Sequence, residues 1–331
     1  MPDIPHPRDV FDLIGHEAAE AALEDSRARG RLHHAWLLTG PEGVGKATFA
    51  YRAARRLLGA APFDGLGVLG SNPDDPVSRQ VMARAHPDLF VLERVGEDGK
   101  VRKVIPVDEA RGLSEFFSKS PATAPHRVAI IDAADDLNPN AANAILKTLE
   151  EPPPSGVLLM VSHSPGRLLP TIRSRCRRLA FAPLALEDAA AFVRSRAEVD
   201  EEQAFRLARM AGGAPGRAWS LAAGAALAMD DAARAVLESL PRVDEAAALA
   251  LADKFRGGEG QAQFNLLFER LAQRVHGFAL QRMALGAPPP DDWASAWETL
   301  QRLPREVEGL NLDRADALFT ALGELRRAAR T

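Results

Sequence analysis

The sequence predicts a parallel α/β domain followed by an all-helical region. Two patterns carry the prediction. Apolar, strand-length runs alternate with helical stretches over the first half of the chain, and no strand pattern follows residue 183. A third observation fixes the order of the first elements: the run at 35–39 passes into a glycine-rich turn that ends in Lys46.

Strand patterns lie at 35–39, 88–93, 128–132, 156–163 and 176–181, with helical stretches at 46–58, 107–118 and 138–150 between them. Residues 60–76, rich in Gly, Pro and Asp, read as a loop excursion, and Phe181-Ala182-Pro183 closes the alternation. Beyond it, Asp200 and Gln203 form a capping-box start for a helix stopped by Gly212-Gly213, and a second helix begins at Pro215. Phe264, Leu267, Phe268, Leu271, Val275 and Phe278 make a long apolar stripe, and 286–290 break it. Trp293, Trp297 and Leu300 open the next helix, and Leu318, Phe319, Leu322 and Leu325 close the chain as packing faces. The expected division is 1–182, 183–227 and 228–331.

Composition narrows the class. The chain has 331 residues, 46% hydrophobic and 26% charged, which suits a multidomain globular protein. A formal charge of −4 gives no global attraction to nucleic acid or anionic membrane. Cys176 is the only cysteine, so no intrachain disulfide or cysteine zinc site can form. No apolar run approaches membrane-spanning length and the N-terminus has no secretory core, so a reducing cytoplasm is expected.

Residues 40–48, Gly40-Pro41-Glu42-Gly43-Val44-Gly45-Lys46-Ala47-Thr48, have the G-x-x-x-x-G-K spacing of a phosphate-binding loop. Glycines let backbone N–H groups curl around phosphates, the next helix points its positive end at them, and Lys46 reaches the outer phosphates. Ala47 stands where a Ser or Thr hydroxyl ordinarily holds Mg²⁺. One helical step rotates Thr48 about 100° away, so it is a poor substitute. The strand ending at Asp132 supplies the acidic partner such loops use, but the next residue is Ala133, which cannot serve as a general base toward water. Both losses point to nucleotide binding without hydrolysis.

These residues, together with 140–153 (NAANAILKTLEEPP) and 172–177 (IRSRCR), resemble the bacterial clamp-loader subunits of the AAA+ family, and among them the delta-prime type of DNA polymerase III. The resemblance is strong over 33–181. It is weaker at 212–217 (GGAPGR), which resembles a sensor-2 element. It implies an AAA+ module, a small helical lid and a helical collar that assembles a hetero-pentamer with delta and gamma/tau motor subunits. That complex opens a sliding clamp and places it on primed DNA as part of the polymerase holoenzyme. The resemblance gives this chain a stator's role, with Arg175 as an arginine finger in a neighbour's ATP site. It assigns Ser162 to the sensor-1 position and Arg217 to sensor 2, both toward a bound ATP or ADP that is not turned over. No zinc is expected, because the segment at 60–86 lacks the family's cysteines. A weakly active motor subunit of the same complex is the alternative, and Ala47 and Ala133 argue against it. Arg102, Lys103, Arg111 and Lys119 are candidates for a DNA-facing surface.

Overall fold

The computed structural model describes residues 4–95, 101–258, 260–286 and 291–330. The chain divides into two compact units, Met1–Ser220 and Leu221–Thr331.

The first unit is built on five strands: β1 (Ala35–Thr39), β2 (Leu89–Glu93), β3 (Arg127–Asp132), β4 (Gly156–Ser162) and β5 (Arg177–Ala180). They pair in the order β2-β3-β4-β1-β5, every pair parallel. Strands β1 and β4 are buried at every residue. Continuous apolar runs of this kind are what a parallel sheet covered on both faces requires. The helices on it are α1 (Glu17–Ala28), α2 (Lys46–Leu57), α3 (Pro76–Met82), α4 (Val107–Phe117), α5 (Pro139–Glu150) and α6 (Pro170–Arg175). Three more follow the sheet: α7 (Leu186–Arg196), α8 (Glu201–Met210) and α9 (Pro215–Ala222). Phe49, Ala50 and Leu57 of α2 pack into one core with Trp36, Leu38, Ile130 and Leu159, on one face of the sheet. Ala110, Leu113 and Ile145 of α4 and α5 pack with Leu37, Ile131 and Met160 on the other. Strand β5 is an edge, short and mostly exposed, and it opens with Arg177 and Arg178.

The helix starts have local causes. Asn138 caps α5 by accepting from Ala141 N at 2.8 Å. Asp75 caps α3 by accepting from Val77 N at 2.8 Å. Asp200 and Gln203 form the anticipated reciprocal capping box at the start of α8.

Two α2 arginines tie the surrounding segments to the sheet. Arg52 and Glu20 of α1 are both buried, with Arg52 Nε donating to Glu20 Oε1 at 2.7 Å. The same guanidinium donates to the carbonyls of Phe11 and Leu66. Arg55, also buried, donates to the Arg8 carbonyl and lies 3.9 Å over the Phe11 ring. Burying a guanidinium demands such partners, and here they fasten the N-terminal segment and the 60–75 loop onto α2.

The second unit is helical: α10 (Ala226–Ser239), α11 (Glu245–Asp253), α12 (Gly260–Ala284), α13 (Asp291–Leu310) and α14 (Arg314–Ala328). Phe264, Leu267, Phe268, Leu271 and Val275 are buried with Leu300, Leu318, Leu322 and Leu325, as the stripe predicts. Phe278, Trp297 and Phe319 were expected to join that core and are substantially exposed instead. Of the expected helix break at 286–290, residues 287–290 lie outside the described residues. Helices α1 and α3 were not anticipated, nor were α10 and α11 placed. The predicted strand at 156–163 ends one residue early. The His163 and Ser164 N–H groups leave the ladder and donate to Asp135 at 2.6 and 3.0 Å.

Candidate phosphate-loop site

Strand β1 runs into the turn 40–45, and α2 starts at Lys46. Two positions show why the turn is glycine. Gly43 has φ +75°, and a Cβ there would lie 2.4 Å from the Arg217 backbone N. A Cβ on Gly40 would lie 2.2 Å from the Phe181 carbonyl O. The loop is therefore pressed between β5's exit and the start of α9, and Gly216 N donates to Gly43 O at 2.8 Å. From the other side, buried His16 donates through Nε2 to Val44 O at 2.7 Å.

Lys46 is buried, and its Nζ donates to the Gly40 carbonyl at 2.6 Å and to that of Pro41. Burial brings its pKa down to about 8, against the opposing pull of Asp132, Glu42 and Asp135. Lys46 opens onto a cleft of about 630 Å³ bordered by Glu42, Gly43, Val44, Gly45, Ala47, Thr48, Asp132, Ala133 and Arg217. Gly40 and Pro41, at the start of the loop, do not border it. Asp132, at the end of β3, has its pKa raised by burial, with His6 and Lys46 pulling the other way. Thr48, though turned from Ala47, still reaches the cleft wall.

The site draws on more of the chain than the motifs. The N-terminal segment contributes Pro5, His6, Val10 and Leu13, and α7 and α9 contribute Phe192 and Trp219. His6 Nε2 lies 3.2 Å from Glu93 Oε2, and burial, then the charges of Arg8 and Arg84, bring its pKa down to about 4. No periodicity singled out this segment, because it is irregular backbone held by Arg52 and Arg55.

Two assigned residues sit elsewhere. Ser162 is buried and does not border the cleft; its hydroxyl donates to Asp135 Oδ1 at 3.1 Å. The Asp135 carboxylate also accepts the backbone N–H groups of His163 and Ser164, so it shapes the strand end. Arg175 ends α6, outside the cleft, where its Nη2 meets Glu150 Oε1 at 3.0 Å and its Nη1 donates to Thr171 O at 3.1 Å. This contact joins the 140–153 and 172–177 stretches. Of its basic neighbours, Arg178 Nε donates to Thr39 Oγ1 at 2.9 Å, and Arg177 lies 4.7 Å over the Trp36 ring. Cys176 is partly buried, and burial raises its thiol to about 12, so it stays protonated.

Further away, Arg111 and Lys119 pair with Asp108 and Glu115, each at 3.0 Å, and Arg102 pairs with Glu109. Among the described residues no cluster of His, Cys, Asp and Glu has the geometry to hold a metal ion. Among them, too, no helix is long and apolar enough to cross a membrane.

An all-parallel sheet with a phosphate loop between β1 and α2 defines the P-loop class of α/β domains. The chain matches the family described as "DNA polymerase III, delta subunit" over residues 15–185, and it belongs to that family. It is 39% identical over 189 residues to DNA polymerase III subunit delta' of Pseudomonas aeruginosa, covering 56% of this chain and 55% of that one. It is 33% identical over 173 residues to the delta' subunit of Bacillus subtilis, covering 50% and 48%. Subunit tau of Escherichia coli is 29% identical over 296 residues, covering 85% of this chain and 43% of tau. The chain thus spans about half the length of these relatives. A DNA polymerase III gamma subunit-related protein of Thermotoga maritima superposes with a TM-score of 0.49 at 18% identity, over 95% of this chain and 99% of that one. The sheet order, not that superposition, carries the fold assignment.

Proposed function

We propose that the chain is a stator-type subunit of the bacterial replicative clamp loader, working with gamma/tau and delta subunits to place a sliding clamp on primed DNA. In this reading it donates Arg175 to a neighbour's ATP site and does not hydrolyse nucleotide itself. The supporting observation is a separation within the sheet. Trp36 pairs with Arg177 and Thr39 with Ala180, so Arg175 lies before the start of β5 while the phosphate loop leaves the opposite end of β1. That places the two roughly 13 Å or more apart along the strands, four residues at about 3.3 Å each. Arg175 is therefore too far from its own phosphate loop to serve it, which supports a role at a site outside its own chain.

Its present partners suit that task. An exposed Arg–Glu pair contributes only about 0–1 kcal/mol, so Glu150 holds the guanidinium in place without competing strongly with a phosphate. A guanidinium presents a planar fork of donors to phosphoryl oxygens and keeps its charge at any working pH. Supplied in trans, such a group accelerates phosphoryl transfer by about 10³–10⁵.

The chain's own cleft fits a nucleotide's phosphates and not their metal. Gly40 and Gly43 let the loop hold its turn against Phe181 and Arg217, and Lys46 is placed to exchange the loop carbonyls for phosphate oxygens. Ala47 offers a methyl group where the metal needs an oxygen, and Ala133 cannot orient or deprotonate a water. ATP or ADP bound here would be held, with its phosphates screened by Lys46 and Arg217, and would not be turned over.

The test is reconstitution with motor subunits, delta, sliding clamp and primed DNA, comparing wild type with Arg175→Ala. Assembly is checked by gel filtration. The expected result is an intact complex whose ATPase and loading fall at least a hundredfold. ATP turnover at the wild-type rate would remove Arg175 from the role and leave the chain as a scaffold.

A further inference from the structure

The helical second unit holds a cavity that its own packing leaves unfilled. About 470 Å³ in volume, it lies among Leu237 of α10, Val275 and Phe278 of α12, Trp293 of α13 and Ala328 of α14. Val275 and Ala328 are each 1% exposed and belong to the core, whereas Phe278 is 38% exposed, so the cavity runs from the core to the surface. The Phe278 and Trp293 rings stand 5.0 Å apart beside it. A space of this size with aromatic walls is within the range that binding pockets occupy.

The same walls carry charge, because Arg274 and Arg282 also border the cavity. Arg274, Phe278 and Arg282 follow one another at four-residue intervals, so they form one row on α12, with the two arginines about 12 Å apart along its axis. Arg274 is already matched, its Nη2 donating to Asp230 Oδ1 at 2.9 Å. Arg282 meets no carboxylate among the described residues, and its guanidinium lies 5.8 Å from the Phe278 ring. Contact with the ring holds the cation beside the cavity and leaves its charge available to an anion. Leu285, seven residues beyond Phe278 and so on the same side of the helix, is 79% exposed and extends the row. An apolar stripe left at the surface beside an unmatched cation marks a face that another molecule covers.

We propose that this groove docks a peptide segment of a partner protein in which an apolar side chain lies close to a carboxylate. The apolar side chain enters the cavity against Phe278 and Trp293, and the carboxylate pairs with Arg282, whose planar guanidinium offers it a fork of donors. Charge complementarity selects this occupant. A basic segment would meet Arg282 as a like charge, and a wholly apolar one would cover the guanidinium without supplying a counter-charge. The groove is confined to the second unit, so the inference does not rest on the nucleotide reading of the phosphate-loop cleft.

Selection of phage-displayed random heptapeptides on the full chain tests this, followed by titration calorimetry of the enriched peptides made synthetically. The expected result is enrichment of sequences that place Asp or Glu within two residues of Leu, Phe or Trp. Arg282→Glu, with folding confirmed by thermal melting, should bind these peptides about tenfold more weakly or worse. Exchanging the peptide's acidic residue for Lys should then restore affinity for that variant, which a merely structural role of Arg282 would not produce. No enrichment, or enrichment of basic or uncharged sequences, would overturn the inference. Acidic peptides that bind Arg282→Glu as tightly as wild type would overturn it too. So would sedimentation showing that wild type self-associates and Arg282→Glu disperses it, because the occupant would then be a second copy of the chain.

Discussion

Replacing Glu20 with alanine leaves the Arg52 guanidinium inside the protein without its counter-charge. The two residues are 4% and 1% exposed and bonded at 2.7 Å, so neither can turn to solvent without moving α1 or α2. Removing one partner of a buried pair costs about 3–5 kcal/mol, because the remaining charge keeps its full desolvation penalty. The Phe11 and Leu66 carbonyls still accept from Arg52, which places the expected loss near the lower end, about 3 kcal/mol. In a unit of this size each kcal/mol moves the melting temperature by about 2–4 °C, so the shift is roughly 6–12 °C. Thermal melting of the full chain followed by far-ultraviolet circular dichroism measures it. The double variant Glu20→Met with Arg52→Met should recover part of the loss, because no charge is then left buried. A single variant that melts within about 2 °C of wild type would refute the claim that the buried Arg52 guanidinium depends on Glu20 for its counter-charge.

Gly43→Ala adds a methyl group 2.4 Å from the Arg217 backbone N at a residue with φ +75°. ADP affinity should fall by about tenfold or more, while Gly166→Ala, with nothing near its added Cβ, should bind as wild type by titration calorimetry. Ala47→Thr should make ADP binding Mg²⁺-dependent, seen as a difference between Mg²⁺ and EDTA titrations. Turnover should remain absent because Ala133 is unchanged, and steady hydrolysis by this variant would contradict the reading of Ala133. Burial holds His6, His16, His34, His86, His126 and His163 below the ordinary histidine range. The unfolded chain therefore takes up protons first. The histidines' contribution to stability is complete above about pH 6.5 and is lost as pH drops toward the value of about 4 held by His6. Urea midpoints measured between pH 7.5 and 4.5 should decline, and a flat profile would exclude this linkage.

Much of the first unit was legible because its physics is local. A fully buried parallel strand needs an uninterrupted apolar run, so 35–39 and 128–132 stood out, and the loop after the first is marked by glycines that sterics demand. Asp200 and Gln203 announced α8 because a capping box is a short-range contact. Helix α1 was hidden, since its buried side includes Glu20, whose burial depends on an arginine 32 residues away. Ser162 was assigned by its place after a strand, yet its hydroxyl is committed to Asp135, a pairing across 27 residues that no local pattern contains. Arg175 and Glu150 were each noticed in separate stretches, and only the fold brings them together. The basic residues Arg102, Arg111 and Lys119 drew attention as free charge, but each is matched by a nearby carboxylate.

The short edge strand β5 has a consequence for the chain on its own. A parallel sheet must end somewhere, and an open row of N–H and C=O groups invites a second copy to add its own strand. Strand β5 offers only four residues, and its first two are exposed arginines. Two such edges brought together would set like charges against each other over too short a ladder to compensate. The short, doubly basic strand that follows Arg175 thus discourages edge-to-edge pairing, and a newly made chain can persist without polymerising through its sheet.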